Sequence, residues 1–232
     1  MNDFIGNLER AINDKDLYED KYFKQYYIND PKRDVMYQQE IKRIKKYYPN
    51  GGTILDVGCG VGNFLSKMDD RWTKYGVEPS DFAKDKAIKK DITILPSINH
   101  VEFDFFDVVI FRGSLQHINF PMTALFHASR SLKKGGLLVI LATPDSDSIV
   151  YKLFGNLPAL DAPRNWVLFG NKFLCNVLYR LGFHEIKVIH PYWETPYANP
   201  IVDFFKFFVS LIFGYRKFAF PGNQMEIYAI KK

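Results

Sequence analysis

Short apolar runs alternate with polar, helix-like stretches over the first two-thirds of the chain. Strands are predicted at residues 53–57, 74–78, 92–95, 107–111 and 137–142. Helices are predicted between them, at residues 63–68, 80–90 and 121–132. Uninterrupted apolar strands separated by helices are typical of a parallel sheet that is covered on both faces. We therefore predict an α/β fold with a doubly wound, mostly parallel sheet.

The pattern changes after residue 145. Residues 147–170 contain several Pro, Gly and Asp and are predicted to form an insertion. A helix is predicted at 171–181, an alternating strand at 183–190 and a last strand at 224–230. The two final strands lack a crossover helix between them, so we expect a seven-stranded sheet whose last strand is antiparallel.

A second insertion, residues 191–223, is unusually aromatic. It contains an apolar stripe at helical spacing, formed by Phe204, Phe207, Phe208 and Leu211. Polar positions are offset from this stripe, at Asp203, Lys206 and Ser210. Three ways of burying the stripe stay open: a lid or local core beside a binding site, a homodimer contact, and a peripheral contact with a membrane or lipid carrier. Lys206, Arg216 and Lys217 keep the third alternative open because they suit anionic headgroups.

Composition narrows the class of protein. The chain has 232 residues, 47% of them hydrophobic and 25% charged, which excludes a disordered chain and suits one domain over 1–232 with a helical extension at 1–50. Two cysteines exclude a disulfide framework and a cysteine-rich zinc module. Charges interrupt the aromatic stretch, so no transmembrane segment is expected, and without a secretory signal we expect a cytoplasmic protein. The net charge of +5 comes from scattered lysines, so no nucleic-acid partner is expected.

The most specific segment is a strand that enters a glycine-rich turn, LDVGCGVGNF at 55–64. Its glycines stand at 58, 60 and 62, whereas the dinucleotide fingerprint requires the third glycine where Asn63 stands. Asp56, two residues before the turn, would repel a pyrophosphate but suits a ligand that carries an ammonium and a sulfonium group. Glu78 ends the next strand, where a carboxylate can hold both hydroxyls of a ribose.

Four segments together, LDVGCGVGNF, YGVEPS, FFDVVIFRGSLQHI and LFHASRSLKKGGLLVILATPD, resemble the motifs of class I S-adenosylmethionine (SAM)-dependent methyltransferases. The resemblance covers about residues 50–145 and implies a Rossmann-like fold with a SAM-binding core at 51–145. It implies SAM as the cofactor, S-adenosylhomocysteine as the product and no metal. The insertions at 147–170 and 191–223 would then lie on the side of the methyl acceptor.

The resemblance also implies which residues contact SAM. The glycines would pass under its methionine part, Glu78 would bind the ribose, residues 95–97 would line the adenine, and residues 111–113 would lie under the sulfonium. The full set is Asp56, Gly58, Cys59, Gly60, Gly62, Asn63, Phe64, Glu78, Pro79, Ser80, Leu95, Pro96, Ser97, Phe111, Arg112 and Gly113. Cys59 is expected to pack inside the turn rather than to act as a nucleophile.

His117 is the candidate catalytic base, because it follows the fourth strand at the edge of the sheet where ligands bind. The alternative is that it only packs beside the cofactor. The segment around Pro163 resembles one found in methyltransferases of sugar and surface-glycan pathways, and Arg164 there would clamp an anionic acceptor or else pair with Asp161. The candidate acceptor-binding residues are Arg164, Trp166, Tyr192 and Trp193.

The expected function is methyl transfer to a small-molecule acceptor. We expect an O-methyltransferase that acts on a hydroxyl of a sugar, a glycan intermediate or a lipid-linked precursor. The alternatives are an N or C acceptor, and a catalytically silent SAM-binding partner subunit. The sequence FRGS after the fourth strand lacks the motif that nucleic-acid N-methyltransferases often carry there.

Overall fold

The computed structural model describes residues 4–6, 31–157, 160, 165, 167–214 and 218–232. A short strand β1 (Phe4–Gly6) pairs antiparallel with β7 (Val167–Phe169). The remaining strands are β2 (Gly52–Val57), β3 (Trp72–Val77), β4 (Thr93–Leu95), β5 (Phe106–Arg112), β6 (Leu132–Pro144), β8 (Phe183–Ile189) and β9 (Gln224–Lys231). The helices are α1 (Pro31–Tyr47), α2 (Asp81–Ile88), α3 (Pro121–Ser131), α4 (Ile149–Phe154), α5 (Asn171–Arg180) and α6 (Pro200–Phe213).

Seven strands form one sheet in the order β4-β3-β2-β5-β6-β9-β8. Strands β2 to β6 pair in parallel, and β9 lies antiparallel to both of its neighbours. The predicted Rossmann-like sheet with an antiparallel last strand is therefore confirmed. The sequence order reverses between β2 and β5, and this reversal is where open α/β sheets bind ligands.

Side chains of the central strands alternate between two apolar layers. Leu55, Val109 and Leu138 pack with α3 and α5 on one face, whereas Ile54 and Val108 pack with α1 on the other. All five side chains are fully buried. This double burial explains why the strands read as uninterrupted apolar runs in the sequence.

Two predicted helix boundaries are wrong. The helix expected at 63–68 is a single 3₁₀ turn, Leu65–Lys67. The glycine-rich turn occupies the first part of the connection from β2 to β3, so few residues remain for a helix. The helix expected to reach residue 132 ends at Ser131, and Leu132 already pairs with Phe106 in the sheet. Regular pairing with β5 resumes only at Leu137, which pairs with Val108. Gly135, at φ +75°, therefore lies inside an irregular part of β6 rather than at a helix end.

The apolar stripe predicted on α6 is divided between two environments. Its inward side carries Asp203 and Ser210, which are 5% and 1% exposed. The Asp203 carboxylate accepts hydrogen bonds from the Tyr192 hydroxyl at 2.9 Å and from the Asn199 N–H at 2.8 Å. Phe207 of the stripe packs inward and stacks on the Phe220 ring at 4.5 Å, whereas Phe208 and Leu211 are exposed. Among the described residues, no helix combines the length and the apolarity needed to cross a bilayer.

Candidate functional site

A cavity of about 1000 Å³ opens at the carboxyl ends of β2, β3 and β5. Its volume is at the upper end of the ~300–1,000 Å³ that small-molecule sites usually have. One end is lined by the glycine-rich turn and Glu78, and the other by His117 and by residues of the 191–223 insertion. The cavity is therefore large enough for a cofactor and a second small molecule together.

The glycine-rich turn is held by β3. The N–H groups of Gly58 and Cys59 both donate to the carbonyl oxygen of Val77, at 2.7 and 3.1 Å. Gly58 and Gly60 have φ values of +84° and +53°, a region that favours glycine. An added Cβ on Gly58 would lie 2.5 Å from the Ser114 side chain, so the turn is pressed against the segment that follows β5.

Glu78 is fixed at the cavity wall by backbone donors. One of its carboxylate oxygens accepts from the Gly60 N–H and the other from the Ser80 N–H, both at 2.9 Å. Burial raises the pKa of Glu78, while these two hydrogen bonds oppose the rise. Each carboxylate oxygen can accept a second hydrogen bond, so the oriented pair suits two neighbouring hydroxyls.

Asp56 is a buried carboxylate whose Oδ1 has no hydrogen-bond partner within the part of the chain that the structure describes. Burial raises its pKa to about 7, Arg112 opposes the rise, and Glu78 and Glu40 add to it. A buried unpaired carboxylate is costly unless a cation or a hydrogen-bond donor meets it. A cation or a hydrogen-bond donor of a ligand at the bottom of the cavity would therefore remove this cost.

Arg112 links α1 to this floor. Its Nε and one terminal nitrogen donate to the Glu40 carboxylate at 2.7 and 3.2 Å. Its guanidinium lies 4.3 Å from the centre of the Tyr37 ring and 5.7 Å from that of Phe64. Glu40 is 2% exposed, so this is a buried ion pair between a helix and the end of β5.

Helix α1 forms a wall of the site that was not predicted from the sequence. Arg33, Met36 and Tyr37 line the cavity, and Glu40 holds Arg112 from the next turn. These positions recur at the three- and four-residue spacing of one helix face. That spacing, with charged residues beside apolar ones on the same face, is the feature of the sequence from which this wall could have been predicted.

Most of the residues that the resemblance assigned to SAM meet in the cavity. Those lining it are Asp56, Gly58, Cys59, Gly60, Asn63, Phe64, Glu78, Pro79, Ser97, Arg112 and Gly113. Burial raises the pKa of the Cys59 thiol, which favours the expected packing role over nucleophilic chemistry.

The structure places the other assigned residues outside the cavity lining: Gly62, Ser80, Leu95, Pro96 and Phe111. An added Cβ on Gly62 would lie 2.4 Å from Ile92, so this glycine serves the packing of α2 and β4. Ser80 caps α2 by accepting from the Ala83 N–H at 3.4 Å. Phe111 is fully buried in the core, Leu95 packs on that core, and Pro96 is exposed.

On the acceptor side, His117 and Tyr192 line the cavity as predicted, whereas Trp193 points away and is 68% exposed. Arg164 and Trp166 lie outside the described residues. The insertion at 191–223 contributes Tyr197, Phe220 and Asn223 among others, but none of the described residues between 147 and 170 lines the cavity. Asn223 donates through Nδ2 to the Phe218 carbonyl at 3.1 Å. Its buried Oδ1 has no hydrogen-bond partner among the residues that the structure describes.

A family model described as a methyltransferase domain matches residues 30–188, which include strands β2 to β7, nearly all of β8 and most of the cavity wall. The chain belongs to this methyltransferase family. Its cofactor is SAM, and the residues present fit it. Asp56 would meet the ammonium group and Glu78 the ribose hydroxyls. The described part of the methyltransferase contains no group of three or more His, Cys, Asp or Glu side chains arranged to hold a metal ion.

Two relatives of this methyltransferase are 30% and 28% identical to it over most of the chain. A tRNA U34 carboxymethyltransferase of Colwellia psychrerythraea is 30% identical over 61% of this chain. The chain spans about half of that relative, 47% of its length. An uncharacterized protein of Methanocaldococcus jannaschii is 28% identical over 72% of this chain and 82% of its own length.

Solved structures share the fold at low identity. A SAM-dependent methyltransferase of Thermotoga maritima, described as a possible histamine N-methyltransferase, superposes with a TM-score of 0.65 at 22% identity and covers 91% of this chain and 97% of its own. Phosphoethanolamine N-methyltransferase 2 of Haemonchus contortus in complex with SAM gives a TM-score of 0.61 at 16% identity, over 95% of this chain and 60% of its own.

Proposed function

We propose that this methyltransferase transfers a methyl group to a hydroxyl of a small molecule, of the class of a sugar, a glycan intermediate or a lipid-linked precursor. One observation carries the proposal. The cavity of about 1000 Å³ continues from the Asp56 and Glu78 end to a second end lined by His117, Tyr192 and Asn223. The second end combines aromatic rings with hydrogen-bonding groups, which is the lining that a small polar molecule with an apolar part requires.

Bound SAM supplies a methyl group already activated by its sulfonium, so the protein chiefly aligns donor and acceptor. Asp56 would hold the ammonium group, and Glu78 would hold the ribose hydroxyls. His117, on the 3₁₀ turn Leu115–His117 after β5, would accept the proton that the acceptor hydroxyl loses. The Oδ1 of Asn223, which has no partner among the described residues, would accept a hydrogen bond from a second hydroxyl of the acceptor.

A second candidate function is modification of a tRNA base. Several relatives are tRNA U34 carboxymethyltransferases, and the one from Alteromonas mediterranea is 31% identical over 60% of this chain. Those relatives are about twice as long as the matched region, since only 47% of that protein is covered.

Transfer of label separates the candidates. Methyl-labelled SAM is one donor, and SAM with a labelled carboxymethyl group in place of its methyl is the other, because the tRNA-modifying relatives are carboxymethyltransferases. Purified tRNA, nucleotide-linked sugars and a lipid extract are incubated in parallel with the enzyme. We expect label in the sugar or lipid fraction and none in tRNA. Label confined to tRNA would overturn the small-molecule proposal in favour of the second candidate, and binding of S-adenosylhomocysteine without transfer to any fraction would indicate a silent subunit.

Replacement of His117 tests the proposed base. His117→Ala should lower turnover by roughly 10²–10⁴-fold with little change in cofactor affinity. His184→Ala is the matched control, because His184 lies on the edge strand β8 and outside the cavity lining. Equal turnover in the two variants would show that His117 only packs beside the cofactor.

A further inference from the structure

Helix α6 turns an apolar face to the outside of the protein. Ile201, Phe205, Phe208 and Ile212 follow one another at helical spacing and are 85%, 68%, 61% and 77% exposed. Together with Phe213 they form what we call the outer face of α6. A contiguous exposed apolar patch of large side chains marks a surface that binds something.

The opposite side of the helix shows that this exposure is built into the fold. Asp203 accepts from the Tyr192 hydroxyl at 2.9 Å, and the Phe207 ring stacks 4.5 Å from the Phe220 ring. Rotation of α6 to bury its outer face would break this buried hydrogen bond and separate the Asp203 carboxylate from the Tyr192 hydroxyl. The contacts on the inward side therefore hold the outer face outward.

The chemistry of the outer face favours lipid over a protein partner. None of its five side chains can make a hydrogen bond, whereas protein interfaces carry about one hydrogen bond per 100–200 Å². The hydrocarbon of a bilayer requires no such partners. A helix face made only of Phe and Ile side chains suits an acyl layer better than a second protein surface.

The charges around the outer face suit an anionic surface. Asp203 is the only acid of α6 and is buried, so the helix shows no negative charge outside. Lys206 is its only base and is partly exposed on the flank. Trp193, 68% exposed, follows Tyr192 beside the first turn of the helix, and exposed Trp rings prefer the level of the headgroups.

We propose that α6 docks the enzyme on an anionic membrane surface, with the outer face inserted at the boundary between headgroups and acyl chains. Its 14 residues are about 21 Å long, shorter than the ~30 Å hydrocarbon core, so the helix lies in the plane of the interface. Phe220 lines the cavity and stacks on α6, so docking places the acceptor end of the cavity beside the lipid. The proposal stands apart from the identity of the methyl acceptor.

Co-sedimentation with vesicles tests the proposal. The full chain is mixed with vesicles of equimolar phosphatidylcholine and phosphatidylglycerol, and with vesicles of phosphatidylcholine alone. We expect binding to the anionic vesicles that weakens in high salt. The double variant Phe205→Gln and Phe208→Gln should lower the partition coefficient by roughly 100-fold, and Lys206→Gln by roughly fivefold on anionic vesicles only.

Ile88→Gln is the matched control, because Ile88 is 56% exposed on α2, away from α6, and its loss should leave vesicle binding unchanged. A Phe208→Trp variant provides a second readout: its fluorescence should shift to the blue with anionic vesicles and be quenched by brominated lipid. Wild-type protein that binds neither vesicle, or a double variant that binds as well as wild type, would overturn the proposal. A dimer that the double variant converts to monomers, without vesicle binding, would show that a second copy covers the face instead.

Discussion

Protonation of Asp56 should control cofactor binding. This carboxylate is buried, its Oδ1 is unpartnered within the described ranges, and its pKa is raised from 3.8 to about 7. The rise corresponds to about 4 kcal/mol of lost stability when the carboxyl ionises in the folded, cofactor-free protein. Because the raised pKa belongs to the folded state, the cofactor-free protein should lose this stability as the pH rises from about 4 to about 7.

The ammonium group of the cofactor reverses this preference. An opposite charge beside a carboxylate favours its ionised form, so binding below about pH 7 must release the Asp56 proton. Affinity for S-adenosylhomocysteine should therefore rise by up to about tenfold per pH unit between about pH 5.5 and about pH 7, and then level off. Calorimetric titration at several pH values measures the affinity and the proton release together.

Asp56→Asn tests the assignment. The variant should bind S-adenosylhomocysteine roughly 10–100-fold more weakly, because a charge-assisted hydrogen bond is replaced by a neutral one, and its affinity should no longer depend on pH in this range. Asp104→Asn is the control, since Asp104 lies at the other end of β5 and is exposed. A wild-type affinity independent of pH, or an Asp56→Asn variant that keeps the slope, would refute the reasoning.

Two further substitutions test how the cavity wall is held. Glu40→Gln should destabilise the fold by about 3 kcal/mol, since Arg112 would lose its buried counter-charge, and should also weaken binding of S-adenosylhomocysteine because α1 carries Tyr37 at the wall; an unchanged Tm would contradict this. Gly62→Ala should cost about 1–3 kcal/mol more than Gly135→Ala in denaturant unfolding. Both glycines have φ +75°, but only Gly62 would place its Cβ against Ile92, whereas Gly135 has open space; equal costs would contradict the packing role.

The sheet was predictable because each central strand can be recognised from its own residues. Runs such as 108–111 and 137–142 are apolar at every position, since both faces of the sheet are covered, and no long-range information is needed to recognise them. Asp56 and Glu78 were predictable for a related reason: each ends a recognisable strand, and parallel strands bring their carboxyl ends to one edge.

Contacts between segments far apart in the chain could not be predicted from the local sequence. Glu40 pairs with Arg112 across 72 positions, and nothing local to either residue identifies the other. Gly62 belongs to the glycine motif by sequence, yet its missing Cβ makes room for Ile92 rather than for a ligand. A motif records where small residues are needed without saying which neighbour requires the space.

Helix α6 shows the limit of periodicity as a guide to burial. Helical spacing identifies which residues share a face, but it does not determine which face meets the protein. The spacing therefore left open whether the apolar stripe meets a local core, a second copy of the chain or a membrane. The hydrogen bond from Tyr192 to Asp203 ties the polar side to the cavity wall, and Phe207 reaches Phe220 from the same side. An apolar face held outward by buried polar contacts is costly in water, so its retention is best explained by a partner outside the chain.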